Sequence, residues 1–238
     1  MIKPKISVVI AVRNRSHFLK ETLHSLKNQT IEEWEAIVAD DYSTEDIKAI
    51  VEEVNDERIH YVRNEGTPGP SAARNVGNAL AQASLIAVAD SDDIILPRRL
   101  EVSLKYFDEH PETDVFYSRM YNFPDGTYAF RNHSSFIPYN RDELYERDFI
   151  PHVTVVYKKD LISEFPYDET LLAAIDYEML LKFADRNKVF GWVEEPLTLY
   201  RRHADQISTD AERKVLQKAN AARIKIEHAP YRLNPIID

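Results

Sequence analysis

Hydrophobic positions in the first half of the chain alternate between two spacings. Ile6 to Val12 is a continuous apolar run rich in β-branched residues, the pattern of a strand buried on both faces. Behind it, Leu19, Leu23 and Leu26 recur at helical spacing, which predicts a helix with one inward face and Ser16 as its N-cap. The unit repeats. "EAIVAD" reads as a second strand, and "STEDIKAIVEEV" as a helix with Ser43 and Asp46 at capping-box spacing and Ile47, Ile50, Val51 and Val54 facing inward. "IHYV", "SAARNVGNALAQA", "LIAVA" and "RRLEVSLKYFDEH" continue the alternation, the last entered through Pro97. Buried strands separated by helices predict βαβ units: an α/β fold with a mainly parallel sheet flanked by helices.

After Asp114 the rhythm changes. "DVFYSRMYNF" and "TYAFRN" flank "PDG", which predicts a hairpin, and a polar loop follows from Asn132 to Asn140. "HVTVVYKK" reads as a further strand, "IDYEMLLKFADR" as a helix, "VFGWV" and "LTLYRRH" as two short strands, and Ala211 to Glu227 as a terminal helix. No linker or internal repeat interrupts the chain. The expected organisation is one domain over 1–238, with a regular half at 1–113, a smaller mixed half at 114–210, and a helix and tail at 211–238.

Composition narrows the function. A length of 238 residues with 44% hydrophobic content suits a sizeable globular core. Thirty basic against forty acidic residues give a net charge of −10, which argues against a non-specific nucleic-acid binder. The absence of cysteine excludes disulfides, zinc-thiolate sites and thiol catalysis. The apolar run at Ile6 to Val12 is too short for a membrane span and lacks a small-residue cleavage site, so the expected location is cytoplasmic.

Ligands of open α/β sheets bind beyond the carboxyl ends of the strands. Those ends run here into "VRNR", into Asp40 and Asp41, into "RNEGTPGPS", and into the acidic tip of "IAVADSDDIILP". Two carboxylates about 4 Å apart repel by roughly 4 kcal/mol at an effective dielectric near 20, so the tip needs a neutralising partner. Strand alternation lets Asp90 and Asp92 face one ligand while Ser91 turns away and Asp93 bends back or caps the next turn. Hard oxygen donors suit Mg²⁺ or Mn²⁺ completed by phosphate oxygens. An isolated D-x-D is more often a solvated turn; the buried strand before it and three other polar strand ends favour a site.

"SVVIAVRNR", "VADDYSTED", "GTPGPSAARNVGNALAQA", "IAVADSDDIILPRRL", "IDYEMLLKFA" and "LYRRH" resemble, in order and spacing, the motifs of family 2 glycosyltransferases with a GT-A fold, over roughly Ile6 to His203. The resemblance implies inverting transfer of a sugar from a nucleotide diphosphate, a UDP-sugar being the family's commonest donor, to an acceptor hydroxyl in polysaccharide or glycoconjugate synthesis. It makes residues 1–113 the nucleotide-binding half and 114–210 the acceptor side. By position, Ala11, Val12, Arg13 and Asn14 would line the nucleotide pocket, with Asp40, Asp41, Arg74, Asp90 and Ser91 as further contacts. Asp90, Asp92 and Asp93 would hold Mn²⁺ or Mg²⁺, with His203 as a further ligand, and Asp176 would be the catalytic base.

Several positions depart from the family pattern. Ile175 stands where a Glu usually precedes the base, Arg13 replaces an aromatic of "PTYN", and Tyr42 replaces a small residue. The "QxxRW" sequence of processive synthases is absent, which implies single transfers. Arg201 and Arg202 would neutralise the departing diphosphate or cover an acidic surface. The aromatic stretch from Phe116 to Tyr145 would build the acceptor side or simply pack the core. Arg213, Lys214, Lys218, Arg223 and Lys225 beside Val215, Leu216, Ile224 and Ile226 suit a helix docked on the domain, or one resting on the inner face of an anionic membrane with a lipid-linked glycan acceptor. Two rivals remain: a catalytically inactive nucleotide- or glycan-binding domain, and a sugar-1-phosphate nucleotidyltransferase. The second should carry an N-terminal Gly-rich loop, and "AVRNRSHF" has no glycine.

Overall fold

The computed structural model describes residues 2–127, 129–132, 137–204, 206, 211–233 and 236, with 132, 211, 213 and 233 described in the backbone only. Four parallel strands form the first half: β1 (Ile6–Val12), β2 (Trp34–Asp40), β3 (Ile59–Arg63) and β4 (Leu85–Asp90). The others are β5 (Ile94–Ile95), β6 (Val115–Pro124), β7 (Arg131–Asn132), β8 (Val156–Lys158) and β9 (Phe190–Arg202). Together they make one sheet in the order β3-β2-β1-β4-β8-β6-β9-β5, with β7 paired to β6. β8 runs antiparallel to both β4 and β6, so the regular and mixed halves share a continuous ladder. The expected α/β architecture, a mainly parallel sheet flanked by helices beside a smaller mixed region, is observed.

Two helical layers cover the sheet. α1 (Ser16–Lys27), α2 (Ile47–Val54) and α4 (Arg99–Glu109) pack on the face that receives Ile6, Val8, Ile10 and Val12. α3 (Pro70–Leu80), α5 (Arg141–Glu146), α6 (Lys159–Glu164), α7 (Ile175–Asp185) and α8 (Ala211–Leu233) lie on the face that receives Val9, Ile37, Ile86 and Val88. This sidedness follows from the two-residue period of a strand. Gly77 lets α3 approach β1 closely, since a Cβ there would stand 2.6 Å from the Val9 side chain.

Helix starts differ in detail from the sequence expectation. α1 begins at Ser16 itself, and the Ser16 N–H donates to Glu45 Oε2 at 2.8 Å, so its cap comes from across the sheet edge. Asp46 alone caps α2, accepting from the Ala49 N–H at 3.0 Å. Ser43 instead accepts from the Asn14 N–H at 2.9 Å, which joins the turns after β1 and β2.

The second half departs more. The two short strands expected from "VFGWV" and "LTLYRRH" are one strand, β9, whose register against β6 slips around Arg119. Pro196 pairs there, and an irregularity in the ladder is where a residue without an N–H fits. Only the end of "HVTVVYKK" is strand; His152–Thr154 form a 3₁₀ turn. The hairpin around "PDG" is reduced to two pairs, Tyr121 with Asn132 and Asn122 with Arg131. α8 extends past Glu227 to Leu233 because Arg141 supplies donors to the terminal carbonyls of Tyr231, at 2.8 Å, and Arg232, at 2.6 Å.

Candidate functional site

The carboxyl ends of β1, β2 and β4 open into a cleft of about 670 Å³. Ala11, Val12, Arg13, Asn14, Asp41, Arg74, Asp90, Ser91 and Asp92 line it from the regular half. Asp176, at the first turn of α7, lines it from the mixed half. The convergence expected from the strand ends is therefore realised, and the acidic tip shares one cavity with Asp176. Ser91 also lines the cleft, because the strand ends at Asp90 and alternation does not continue through the turn that follows.

Some of these side chains are committed to the protein. Asn14 sits in the left-handed region at φ 50°, which Asn tolerates, and its Oδ1 accepts from the Thr44 N–H at 2.7 Å. Asp40 is 1% exposed and does not line the cleft. Its carboxylate accepts from the Ser43 N–H, the Tyr61 hydroxyl and Arg63 Nη1, each at 2.9 Å. It thereby fixes the turn that presents Asp41, whose own carboxylate accepts from the Gly69 N–H at 2.8 Å beside the start of α3.

The acidic tip is neutralised from several directions. One carboxylate oxygen from each of Asp90, Asp92 and Asp93 lies within 4.8 Å of the others. Arg74 Nη2 donates to Asp90 at 2.9 Å, Arg15 bonds Asp92, and His203 Nε2 meets the same Asp92 oxygen at 2.9 Å. Asp93 is fully buried; one oxygen accepts from the Arg201 N–H at 2.8 Å and the other has no hydrogen-bond partner. Burial and the charges of Asp92 and Asp90 hold the Asp93 carboxyl well above the usual carboxylate range. Burial likewise pushes the Arg99 guanidinium, packed behind the tip, down to about 10. An orphaned buried carboxylate oxygen among three clustered carboxylates is what a hard divalent cation would satisfy, so the donor set fits Mg²⁺ or Mn²⁺.

His203 and Arg201 stand behind this tip. Neither lines the cleft. The His203 ring packs on Phe18, with centroids 4.6 Å apart. The Arg201 guanidinium is spent on Glu21 at 2.6 Å and Asp125 at 2.8 Å, between the rings of Phe18 and Phe123. Arg201 is thus structural, and of the two consecutive arginines only Arg202 reaches the cleft.

Asp176 is held by the helix that carries it. Its Oδ1 accepts from the Tyr177 N–H at 3.0 Å, and the Tyr177 hydroxyl donates to the Leu144 carbonyl at 2.8 Å, clamping α7 to α5. Ala174 precedes the helix at φ 59°, a strained conformation for a residue with a Cβ.

Sequence reasoning missed Arg15, Asp148, His152 and Gln206, all of which line the cleft. His152 Nε2 lies 2.8 Å from the Tyr167 hydroxyl, and burial together with the Arg74 charge lowers its pKa to about 4, so the ring is neutral at physiological pH. Asp148 is open to the cavity, but the surrounding cleft walls desolvate it, and this together with the charge of Asp176 raises its carboxyl above the ordinary range. A usable signal was a charged residue and a histidine bracketing the apolar Phe149–Ile150 pair in "RDFIPH". The aromatic stretch turned mostly inward: Phe116, Tyr117 and Tyr145 are buried, and Met120 is its one described residue on the cleft. Residues 128 and 133–136 of that stretch lie outside the described residues.

Glycosyl transferase family 2 matches the chain over residues 7–165, well over half its length. The chain belongs to that family. It is 32% identical over 211 residues to the uncharacterized glycosyltransferase MJ1057 of Methanocaldococcus jannaschii, covering 84% of this chain and 72% of the relative. It is 27% identical over 193 residues to an Escherichia coli protein named UDP-Glc:alpha-D-GlcNAc-diphosphoundecaprenol beta-1,3-glucosyltransferase WfgD, covering 77% and 71%. Against several longer Rickettsia relatives the chain spans a third of their length or less, 33% and 15%. Among solved structures, TarS of S. aureus in complex with UDP-GlcNAc superposes with a TM-score of 0.74 at 22% identity, over 95% of this chain and 72% of that one. The mannosyltransferase PcManGT of Pyrobaculum calidifontis, in complex with GDP-Man and Mn²⁺, superposes with a TM-score of 0.65 at 14% identity, over 94% and 65%. At these identities the structural likeness establishes the fold.

Proposed function

We propose that the protein is an inverting glycosyltransferase that moves a sugar from a UDP-sugar to an acceptor hydroxyl in polysaccharide or glycoconjugate synthesis. One observation carries the reading: the Asp90–Asp92 tip and Asp176 face the same 670 Å³ cleft from opposite halves of the fold. The nucleotide lies against Ala11 to Asn14 and Asp41, with Arg74 and Arg202 near its phosphates. Asp90 and Asp92, backed by Asp93 and with His203 behind Asp92, are the residues that would hold Mn²⁺ or Mg²⁺. When bound, such an ion offsets charge on the departing diphosphate. Asp176 takes the proton of the acceptor hydroxyl as its oxygen bonds the anomeric carbon, and the carbon–oxygen bond to the diphosphate breaks with its electron pair leaving on the diphosphate.

The outward face of α8 favours a lipid-linked glycan acceptor and a peripheral membrane contact. Val215 is 69% exposed and Ile226 75%, and the exposed Ala219 and Ala222 complete their stripe. Lys214, Lys218 and Lys225 flank it, while Gln217, on the side docked to the domain, lines the cleft. No helix among the described residues is long and apolar enough to cross a membrane. Co-sedimentation with vesicles of anionic lipid, lost in a Val215→Glu, Ile226→Glu double variant, supports this contact; equal sedimentation of both proteins rejects it.

The transfer itself is tested by measuring UDP released from UDP-sugars with Mn²⁺, comparing the parent with Asp176→Asn. Equal release from both rejects Asp176 as the base. UDP binding with no turnover on any donor and acceptor supplied favours the inactive binding domain.

A further inference from the structure

Asp148 brings a second carboxylate to the Asp176 end of the cleft, where the transfer chemistry assigned above gives it no role. Both side chains line the cavity, and the elements carrying them are fastened together. The Tyr177 hydroxyl donates to the Leu144 carbonyl at 2.8 Å and reaches the Tyr145 carbonyl at 3.3 Å, just upstream of Asp148. On either side of Asp148, Leu144, Tyr145, Phe149 and Ile150 are buried, at 0, 5, 5 and 2% exposure, while Asp148 itself is exposed to the cleft. A rigid, apolar frame therefore presents one polar group. Of the cavity's cations, Arg74 is held by Asp90, Arg15 by Asp92 and Arg13 by Asp41, Arg202 is the one assigned above to the donor's phosphates, and His152 is neutral.

We infer that Asp148 is an acceptor-binding residue that, together with Asp176, selects an uncharged sugar and excludes one bearing phosphate at this end of the cleft. The inference rests on the glycosyltransferase reading. A carboxyl beside the base has two uses toward a sugar. It hydrogen-bonds a hydroxyl neighbouring the one that reacts, which orients the ring. It also repels any anionic substituent, a like-charge contact of the kind that sets specificity by exclusion. A protonated carboxyl donates to a hydroxyl and a charged one accepts from it, so Asp148 orients a sugar in either state, while the exclusion of phosphate rests on the negative charge of the Asp148 and Asp176 pair.

The test is saturation-transfer NMR of methyl hexosides and their 6-phosphates with the parent, Asp148→Ala, Asp148→Asn and Asp148→Lys, in UDP and Mg²⁺. At least one neutral hexoside should bind the parent, fall fivefold or more in Asp148→Ala, and stay within about twofold in Asp148→Asn. Asp148→Lys should admit a 6-phosphate that the parent excludes. No neutral hexoside bound to the parent, unchanged binding in Asp148→Ala, or equal binding of phosphorylated and neutral sugars overturns the inference. Calorimetric titration with UDP, run on the same proteins, reports separately on the nucleotide site. Loss of UDP binding in the parent would count against the transferase reading, not against Asp148.

Discussion

Arg74 Nη2 stands 2.9 Å from Asp90 Oδ1, and this contact links α3 to the carboxyl end of β4 at the centre of the cleft. The arginine is 9% exposed and the carboxylate side chain 30%, so the pair is shielded but wet on one side. Burial works against the charge on each partner, and the opposite charge outweighs it: the Asp90 carboxyl is held below its ordinary range and the Arg74 guanidinium above its own.

Removing that cation leaves Asp90 beside Asp92 and Asp93. Arg74→Ala should lower stability by about 1–3 kcal/mol in urea unfolding at pH 7. Arg63→Ala, which removes a half-exposed guanidinium from Asp40, should cost clearly less. Equal costs would show that burial does not distinguish the two pairs.

Asp93 carries a charge penalty at neutral pH because its carboxyl is raised by burial and by its acidic neighbours. Asp93→Asn should raise the melting temperature without added metal and shrink the further rise produced by Mn²⁺ with UDP. A variant that gains as much from Mn²⁺ as the parent would remove Asp93 from the metal site.

Asp176→Asn keeps the size of the side chain and removes the carboxylate proposed above as the base. Turnover should fall by roughly 10²- to 10⁴-fold while UDP affinity changes little. The two effects are read by UDP release under saturating donor and by calorimetry. A matching loss of UDP affinity would place Asp176 in donor binding instead.

His152 titrates near 4 in the fold against an ordinary 6.5, so between those values the unfolded chain binds a proton that the folded chain refuses. Stability is full above pH 6.5 and is lost as pH falls toward 4, by at most about 3 kcal/mol. His152→Gln should flatten this slope, seen as urea midpoints at pH 4.5, 5.5 and 7 that vary less than the parent's. Parallel profiles would exclude His152 as a source of acid sensitivity.

Away from the cleft, a Cβ on Gly191 would meet the Tyr106 ring at 2.3 Å. Gly191→Ala should destabilise by about 1–3 kcal/mol through overpacking. Nucleotide affinity of the folded fraction should be unchanged, as measured by titration well below the melting temperature.

The first four strands and their helices were legible because each carries its own local pattern: the β-branched run at Ile6 to Val12, the leucine spacing of α1, the apolar spacing of Ile47, Ile50, Val51 and Val54 in α2. The cleft-lining acids Asp41, Asp90, Asp92 and Asp176 were legible from strand-end position and family resemblance. Asp148 and His152 were not, because what brings them to the cleft is the antiparallel pairing of β8 with β4, Leu85 opposite Lys158, a contact between segments far apart in sequence. Local spacing does not encode such a pairing. Asp40 and Arg201 show the complementary limit. Residue type marks them as binding groups, and only tertiary partners such as Tyr61 for the first and Asp125 for the second reveal that they are already satisfied.

The insertion of β8 between β4 and β6 has a mechanical consequence. Ladder bonds cross from the regular half to the mixed half beneath the floor of the cleft. A clamshell rotation of one side against the other would have to tear that ladder, so the floor behaves as a fixed bench. Variation in what the cleft admits is then left to its rim, where the half-exposed Leu172 and the guanidinium of Arg202 lie, while the ladder fixes the spacing between the acidic tip and Asp176.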